Sequence, residues 1–241
     1  MTTGKPGELL DDLGPAIVSG KYPPGTVLRT EELERAFRVS RTVAREALRV
    51  LESMCLVATR RRVGITVLPR PNWNLYDPRV IEWRLAGPDR AEQLRTLTEL
   101  RAGTEPIAAS FAAARATPDQ AGQLTAIAVR LRTTSHDLDA FLEHDIAFHR
   151  LLLAASGNDM FTQLGDVVAT VLRGRTHHHL MPEVPNPEAV RLHIEVAEAI
   201  TAGDPPRAEA AMRAIVSEVL HDLPDPHDSQ DPATRWTPRH P

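Results

Sequence analysis

Apolar residues recur at helical spacing along most of the chain, interrupted once by two short β-prone runs. Leu9, Leu10, Leu13, Ile17 and Val18 predict a first helix that stops at Gly20. Thr30–Phe37 predicts a second, with Glu31 and Glu32 in its first turn, where the helix dipole favours acids. Arg38-Val39-Ser40 turns into a third helix, over Val39–Leu51, and Ser40 is a good N-cap for it. There Val43, Ala47, Val50 and Leu51 form the apolar stripe, while Arg41, Arg45 and Arg49 recur every four residues on another face. Leu56–Thr59 and Ile65–Leu68 predict two strands around the tip Arg60-Arg61-Arg62-Val63-Gly64. Helix, turn, helix and basic hairpin describe a winged helix-turn-helix.

Past the stiff connector Pro69-Arg70-Pro71, the aromatics Trp73, Tyr76 and Trp83 predict a segment that packs one domain on another. From Pro88 onward only helical patterns occur: residues 89–115, a helix opened by the capping box Thr117–Gln120, Leu138–Ala155, residues 159–180, a helix from Asn186 to Gly203, and a last one from Asp204 to about Leu223. The fold class is therefore mainly α, an N-terminal winged helix-turn-helix followed by an all-α antiparallel helical bundle. The domains expected are residues 1–69, a linking and packing segment 70–87, the bundle 88–224, and a disordered tail 225–241 rich in Pro, Asp and His.

Charge sharpens this division. The net charge of −4 looks wrong for a nucleic-acid binder, yet residues 1–70 hold 12 Lys+Arg against 8 Asp+Glu and the remainder 16 against 24. That is a basic module on an acidic body. The single cysteine, Cys55, excludes an internal disulfide framework and fits the cytoplasm. No signal peptide or membrane-spanning run is visible.

Arginine can donate two hydrogen bonds to a guanine edge or pair with phosphate. The DNA-contacting set expected is Arg41, Thr42, Arg45 and Arg49 in a major groove, with Arg60, Arg61, Arg62 and Gly64 on the wing. Ser40-Arg41-Thr42, Arg45-Glu46-Ala47-Leu48, Leu51-Glu52, Leu56-Val57 and Arg62-Val63-Gly64-Ile65-Thr66-Val67 resemble the GntR family of bacterial transcription regulators. Cys55 stands where that family commonly has Gly.

In the bundle, polar residues interrupt apolar stripes: Asp145 and His149 among Phe141, Phe148 and Leu152; His193 among Val190, Ala197 and Ile200; Arg101 among Leu94, Leu97 and Ala108. Buried polar groups need partners. Asp145, His149 and His193 are metal-competent residues on two inward faces. A hydrogen-bonded core histidine and an internal Arg101–Glu105 ion pair are the structural alternatives. Asp145-x-x-Phe148-His149, Ala155-Ser156-Gly157-Asn158, His193 and Arg101-x-x-x-Glu105-Pro106 resemble the FCD effector domain of FadR-type members. Trp73…Asp77-Pro78…Trp83 further resembles the sugar-acid branch, which includes D-galactonate-responsive repressors.

The resemblance implies a homodimeric repressor that leaves a palindromic operator when a small carboxylate binds beside a divalent metal such as zinc. It implies metal ligands Asp145, His149 and His193, with Ile215 in place of a fourth histidine. Arg101 is the effector anchor it implies. In the run His177-His178-His179 neighbouring residues point apart, so at most one, taken as His179, joins Arg175 at the effector. The rival readings are a metal-dependent hydrolase on Asp145, His149 and His193, which lacks a motif supplying a general base, and a regulator with an empty, metal-free pocket.

Overall fold

The computed structural model describes residues 6–177 and 185–221. They fall into two compact units. One holds the described residues up to Arg90 together with those from Ala169 to His177; the other holds 91–168 and 185–221.

The first unit begins α1 (Pro6–Val18), β1 (Val27–Leu28), α2 (Thr30–Phe37), α3 (Arg41–Ser53), β2 (Val57–Arg60) and β3 (Gly64–Val67). The strands form an antiparallel sheet in the order β1-β3-β2, with Val57 opposite Val67 and Arg60 opposite Gly64. β1 adds an edge that the sequence pattern does not announce. A 3₁₀ turn at Arg70–Asn72 and α4 (Pro78–Ala86) follow. Asp77 caps α4 by accepting from the Arg79 and Val80 amides, and Pro78 occupies the first turn, where a missing N–H costs nothing.

Two left-handed residues shape the motif. Arg38, at φ 54, ends α2, and its N–H donates to the Glu34 carbonyl. Cys55, at φ 58, turns the chain out of α3, at the position where the related family uses Gly. Ser40 then caps α3 through the Val43 amide at 3.3 Å. The buried face of α3 is Ala44, Ala47, Leu48 and Leu51, while Val43 and Val50 are only half-buried. The packing face is thus rotated from the stripe expected. Two alanine methyls allow close approach and two leucines supply the buried area, each contributing about 1.5–3 kcal/mol.

Trp73 and Trp83 pack against this core, and Trp73 Nε1 donates to the Leu68 carbonyl at 2.8 Å. Tyr76 is exposed. The Trp83 ring lies directly over Gly14 of α1: a Cβ there would meet the ring at 2.3 Å.

The helices that follow are α5 (Arg90–Arg115), α6 (Pro118–Thr133), α7 (Leu138–Ala155), α8 (Asp159–Gln163), α9 (Gly165–His177), α10 (Pro187–Ala202) and α11 (Pro205–His221). α6 packs on α7 and α10, and α10 on α11. The capping box of Thr117 and Gln120 is formed in both directions. The single helix expected over residues 159–180 is instead two. Leu164 caps α8, and Gly165 restarts the chain against the Arg150 side chain, whose Cγ would lie 3.2 Å from a Cβ. The tail expected from residue 225 lies outside the described residues.

The Gly14–Trp83 contact generates a test. Gly14→Ala should destabilise by about 1–3 kcal/mol, as overpacking does. Gly103→Ala, inside α5 with nothing within 4 Å, should stabilise by up to about 1 kcal/mol. Thermal unfolding reads both, and a Gly14→Ala protein as stable as the parent would remove the contact from the account.

Candidate functional site

Asp145 and His149 stand one turn apart on α7, a helix fixed at its start by the Asp137 cap. His193 comes from α10, which starts at the Asn186 cap with Pro187 behind it and ends on Gly203 at φ 66. Asp145, His149 and His193 are all buried, and their ligand atoms lie within 4.8 Å of one another. Nε2 of His193 is 3.1 Å from Asp145 Oδ1, and Nε2 of His149 is 3.4 Å from it. Two atoms bound to one tetrahedral zinc at about 2.1 Å sit about 3.4 Å apart.

The histidine tautomers decide what this geometry can hold. His193 Nδ1 is 2.7 Å from the Ala189 carbonyl oxygen, which only accepts, so Nδ1 carries a proton. Its Nε2 has no hydrogen-bond partner and faces a carboxylate oxygen. In the neutral ring these are two acceptors in contact. A positive charge has to join them, either a second proton or a metal ion. His149 differs: its Nδ1 lies 2.8 Å from Glu105 Oε2, an ion-pair distance, and its Nε2 lies 3.3 Å from Arg101 Nη2. A carboxylate behind a ligating histidine orients the ring and raises its basicity.

Glu105 and Arg101 reach the cluster from α5. Arg101 Nε lies 2.7 Å from Glu105 Oε1, and its Nη2 lies 3.2 Å from Oε2 and 3.3 Å from His149 Nε2. The internal ion pair is therefore formed. Arg101 Nη1, although buried, has no hydrogen-bond partner among the described residues. Burial works against ionisation of every group here, and the charges outweigh it. Arg101 and His149 bring Glu105 down to about 2, Glu105 and Asp145 lift His149 to about 9, and the two histidines hold Asp145 well below its usual range. Glu105 was not singled out as a site residue in the sequence. The signal available was a carboxylate four residues after Arg101, on the same inward face.

Ile215 is buried on α11, among Ala208, Met212 and Val216. Arg175 is buried on α9 and belongs to the first unit. His179 lies outside the described residues.

The basic surface is built otherwise. Arg41, Thr42, Arg45 and Arg49 are exposed along α3, and Arg60, Arg61, Arg62 and Gly64 are exposed at the wing. Arg41 and Arg49 touch only Glu31, at 3.7 Å, and Glu46, at 3.6 Å, loose surface pairs that leave the guanidinium groups solvated. Arg62 holds a left-handed φ of 65 and Gly64 a φ of 114, which closes the tip. No helix among the described residues is long and apolar enough to cross a membrane.

Residues 7–67 match the model of the bacterial regulatory proteins of the gntR family, and residues 96–218 match the FCD domain. The galactonate operon transcriptional repressor of Escherichia coli K12 is 31% identical over 219 residues, 90% of this chain and 96% of that one. The regulator LutR of Bacillus subtilis is 28% identical, covering 84% of this chain and 94% of its own. A Streptococcus agalactiae GntR structure superposes with a TM-score of 0.51 at 25% identity, covering 90% of this chain and 99% of that chain. These relatives are regulators, not enzymes, and the hydrolase alternative falls with that. The chain belongs to the GntR family of bacterial transcription regulators, with an FCD domain behind its DNA-binding module.

Proposed function

We propose that the protein is a homodimeric cytoplasmic repressor that binds a palindromic operator through α3 and the wing, and is released by a small carboxylate, a sugar acid, bound beside a divalent metal. The observation that carries the sensing half is His193 Nε2: buried, without a hydrogen-bond partner, and set against a carboxylate oxygen. Asp145, His149 and His193 would hold the ion. With Ile215 in place of a fourth histidine, the protein supplies three ligands, the number typical of sites that keep a position open. Bound there, the ion supplies a Lewis-acidic position for an anionic oxygen.

Charge supports an anion as the effector. Two carboxylates, Asp145 and Glu105, against one guanidinium, Arg101, leave the cluster with one net negative charge when both histidines are neutral. A divalent ion turns that into one positive charge, which a carboxylate cancels. Arg101 Nη1 is a donor with capacity to spare. Arg175 and His179 are assigned to the effector as well. The relative named for the galactonate operon supports a sugar acid, and zinc suits the ligand set.

On the DNA side, Arg41, Thr42, Arg45 and Arg49 contact the major groove, and Arg60, Arg61, Arg62 and Gly64 contact the backbone or the minor groove beside it. One module buries little surface, so two copies on two-fold-related half-sites supply the affinity.

Arg45→Ala should cost about 1–3 kcal/mol on the operator and relax sequence preference at one position. Operator affinity equal to the parent's at physiological salt would remove α3 from the major groove.

His193→Ala should bind operator normally yet lose both zinc and effector response, acting as a permanent repressor. A normal effector response from that variant would place the sensor elsewhere.

Acidity offers an independent check. The folded His149 titrates near 9 against 6.5 when unfolded. Its contribution is therefore complete below 6.5 and lost as pH rises toward 9, because the unfolded state then binds fewer protons. The melting temperature of metal-free protein should fall across that window. Zinc must displace the same proton, so the upward shift it gives should grow from pH 6.5 to 8.5. A zinc shift that does not vary with pH would exclude His149 as a ligand.

A further inference from the structure

Glu52, exposed near the end of α3, does not suit DNA. Glu52 follows Arg45 and Arg49 at intervals of seven and three residues, so all three share a face. A carboxylate there repels phosphate. Glu52 is engaged otherwise: its Oε1 accepts a hydrogen bond from the Thr59 backbone amide at 2.9 Å. Thr59 belongs to β2, an edge strand of the sheet, and the next residue is Arg60, where the basic tip begins. This hydrogen bond therefore joins the last turn of α3 to the strand that leads into the wing tip. Between the two elements lies a cleft of about 260 Å³, lined by Arg45, Arg49, Glu52, Thr59, Gly64 and Ile65. Beyond the cleft the tip has little support: Arg60, Arg61 and Arg62 are exposed, and Val63 is 53% exposed.

We propose that Glu52 is a positioning residue for operator binding, one that pins the wing to α3 and fixes the angle at which the wing arginines meet DNA already held by Arg45 and Arg49. The proposal rests on the reading of α3 and the wing as the DNA surface. Its chemistry needs an acceptor oxygen rather than a charge. Glutamine keeps an acceptor at the same reach and alanine removes it. Without the pin the wing remains folded as a hairpin but samples many angles, so its arginines pair with phosphate only part of the time.

The experiment uses full-length protein and a duplex selected by the parent from a random-sequence pool. Affinity is measured across a range of salt for the parent, Glu52→Ala, Glu52→Gln, a wing variant in which Arg60, Arg61 and Arg62 are all replaced by Ala, and the combination of Glu52→Ala with that wing variant. Each phosphate contact adds about 0.9 to the salt slope, so the wing variant should bind more weakly with a flatter slope. Glu52→Ala should lose about tenfold in affinity and move its slope toward that of the wing variant, although it removes a negative charge and no positive one. Glu52→Gln should stay within about twofold of the parent. In the combined variant Glu52→Ala should cost almost nothing further, because the wing it positions no longer contributes. Full additivity, an unchanged slope for Glu52→Ala, or Glu52→Gln behaving like Glu52→Ala would each overturn the proposal. A wing variant that binds like the parent, with an equal slope, would instead overturn the assignment of the wing to DNA, and the role of Glu52 with it.

Discussion

The buried carboxylate of Asp145 constrains the bundle more than any other group. Taking an ionised carboxylate out of water costs several kcal/mol unless it is paired and hydrogen-bonded. Here the pairing atoms are Nε2 of His149 and of His193, and each ring is turned toward Asp145 from behind, by Glu105 and by the Ala189 carbonyl. Arg101 supplies the guanidinium that keeps Glu105 charged. Three helices, α5, α7 and α10, thereby meet at one set of charges, and their caps serve to set its phase. The edge-on contact of Phe148 with His193, at 5.0 Å between ring centroids, closes the cluster with apolar surface. Removing one member of such a set leaves its partners less well paired and costs the bundle stability.

The cluster was legible in the sequence because a core stripe leaves little room for Asp or His. Asp145, His149 and His193 betray themselves by where they interrupt Phe141, Leu152, Val190 and Ile200. Glu105 is legible as the ion-pair partner of Arg101, one turn away, but not as a partner of His149. Its approach to His149 spans 44 positions in sequence, and periodicity carries no information at that range. In the winged helix the failures are local. The stripe of Val43, Ala47, Val50 and Leu51 holds on α3 only at Ala47 and Leu51: Ala44 and Leu48 complete the buried face, and Val43 and Val50 are half-buried. β1 has two residues, too few to alternate. α4 had a legible start at Asp77-Pro78, but its nine residues hold too short a stripe to separate from the aromatic segment around it. The break between α8 and α9 lacks a proline and depends on Arg150, which sits far back in the chain.

α9 belongs to both compact units, since its first residues fall in one and Ala169 onward in the other. At its start Asp166 is held by Arg150, the residue after His149, at 2.6 Å. Further along, Gly174 lies so close to Leu85 of α4 that a Cβ would meet the leucine Cδ1 at 2.5 Å. α4 in turn places Trp83 on Gly14 of α1, and α1 packs on α3. Contacts this tight do not deform continuously; packed interfaces hold or jump.

The size of the response demanded of the sensor decides what the sensor must contain. Moving a two-state equilibrium from 1:99 to 99:1 takes a preference of about 5.5 kcal/mol for one state. One hydrogen bond from a charged donor such as Arg101 Nη1 contributes about 1.5–3 kcal/mol. An anion held by Arg101 alone therefore falls short of a full switch, even if every part of that contact is absent from the DNA-bound state. In the proposed reading, coordination to an ion held by Asp145, His149 and His193 would supply a second contact that also depends on the relative position of α7 and α10, because His149 and His193 come from different helices. The two contacts together would span α5, α7 and α10, so the ligand's preference would be tied to helix positions and not only to its own desolvation. On this arithmetic the proposed metal and effector would have to act as one unit: with Ile215 leaving a coordination position to the ligand, losing either the ion or the guanidinium would leave the equilibrium near the DNA-bound side.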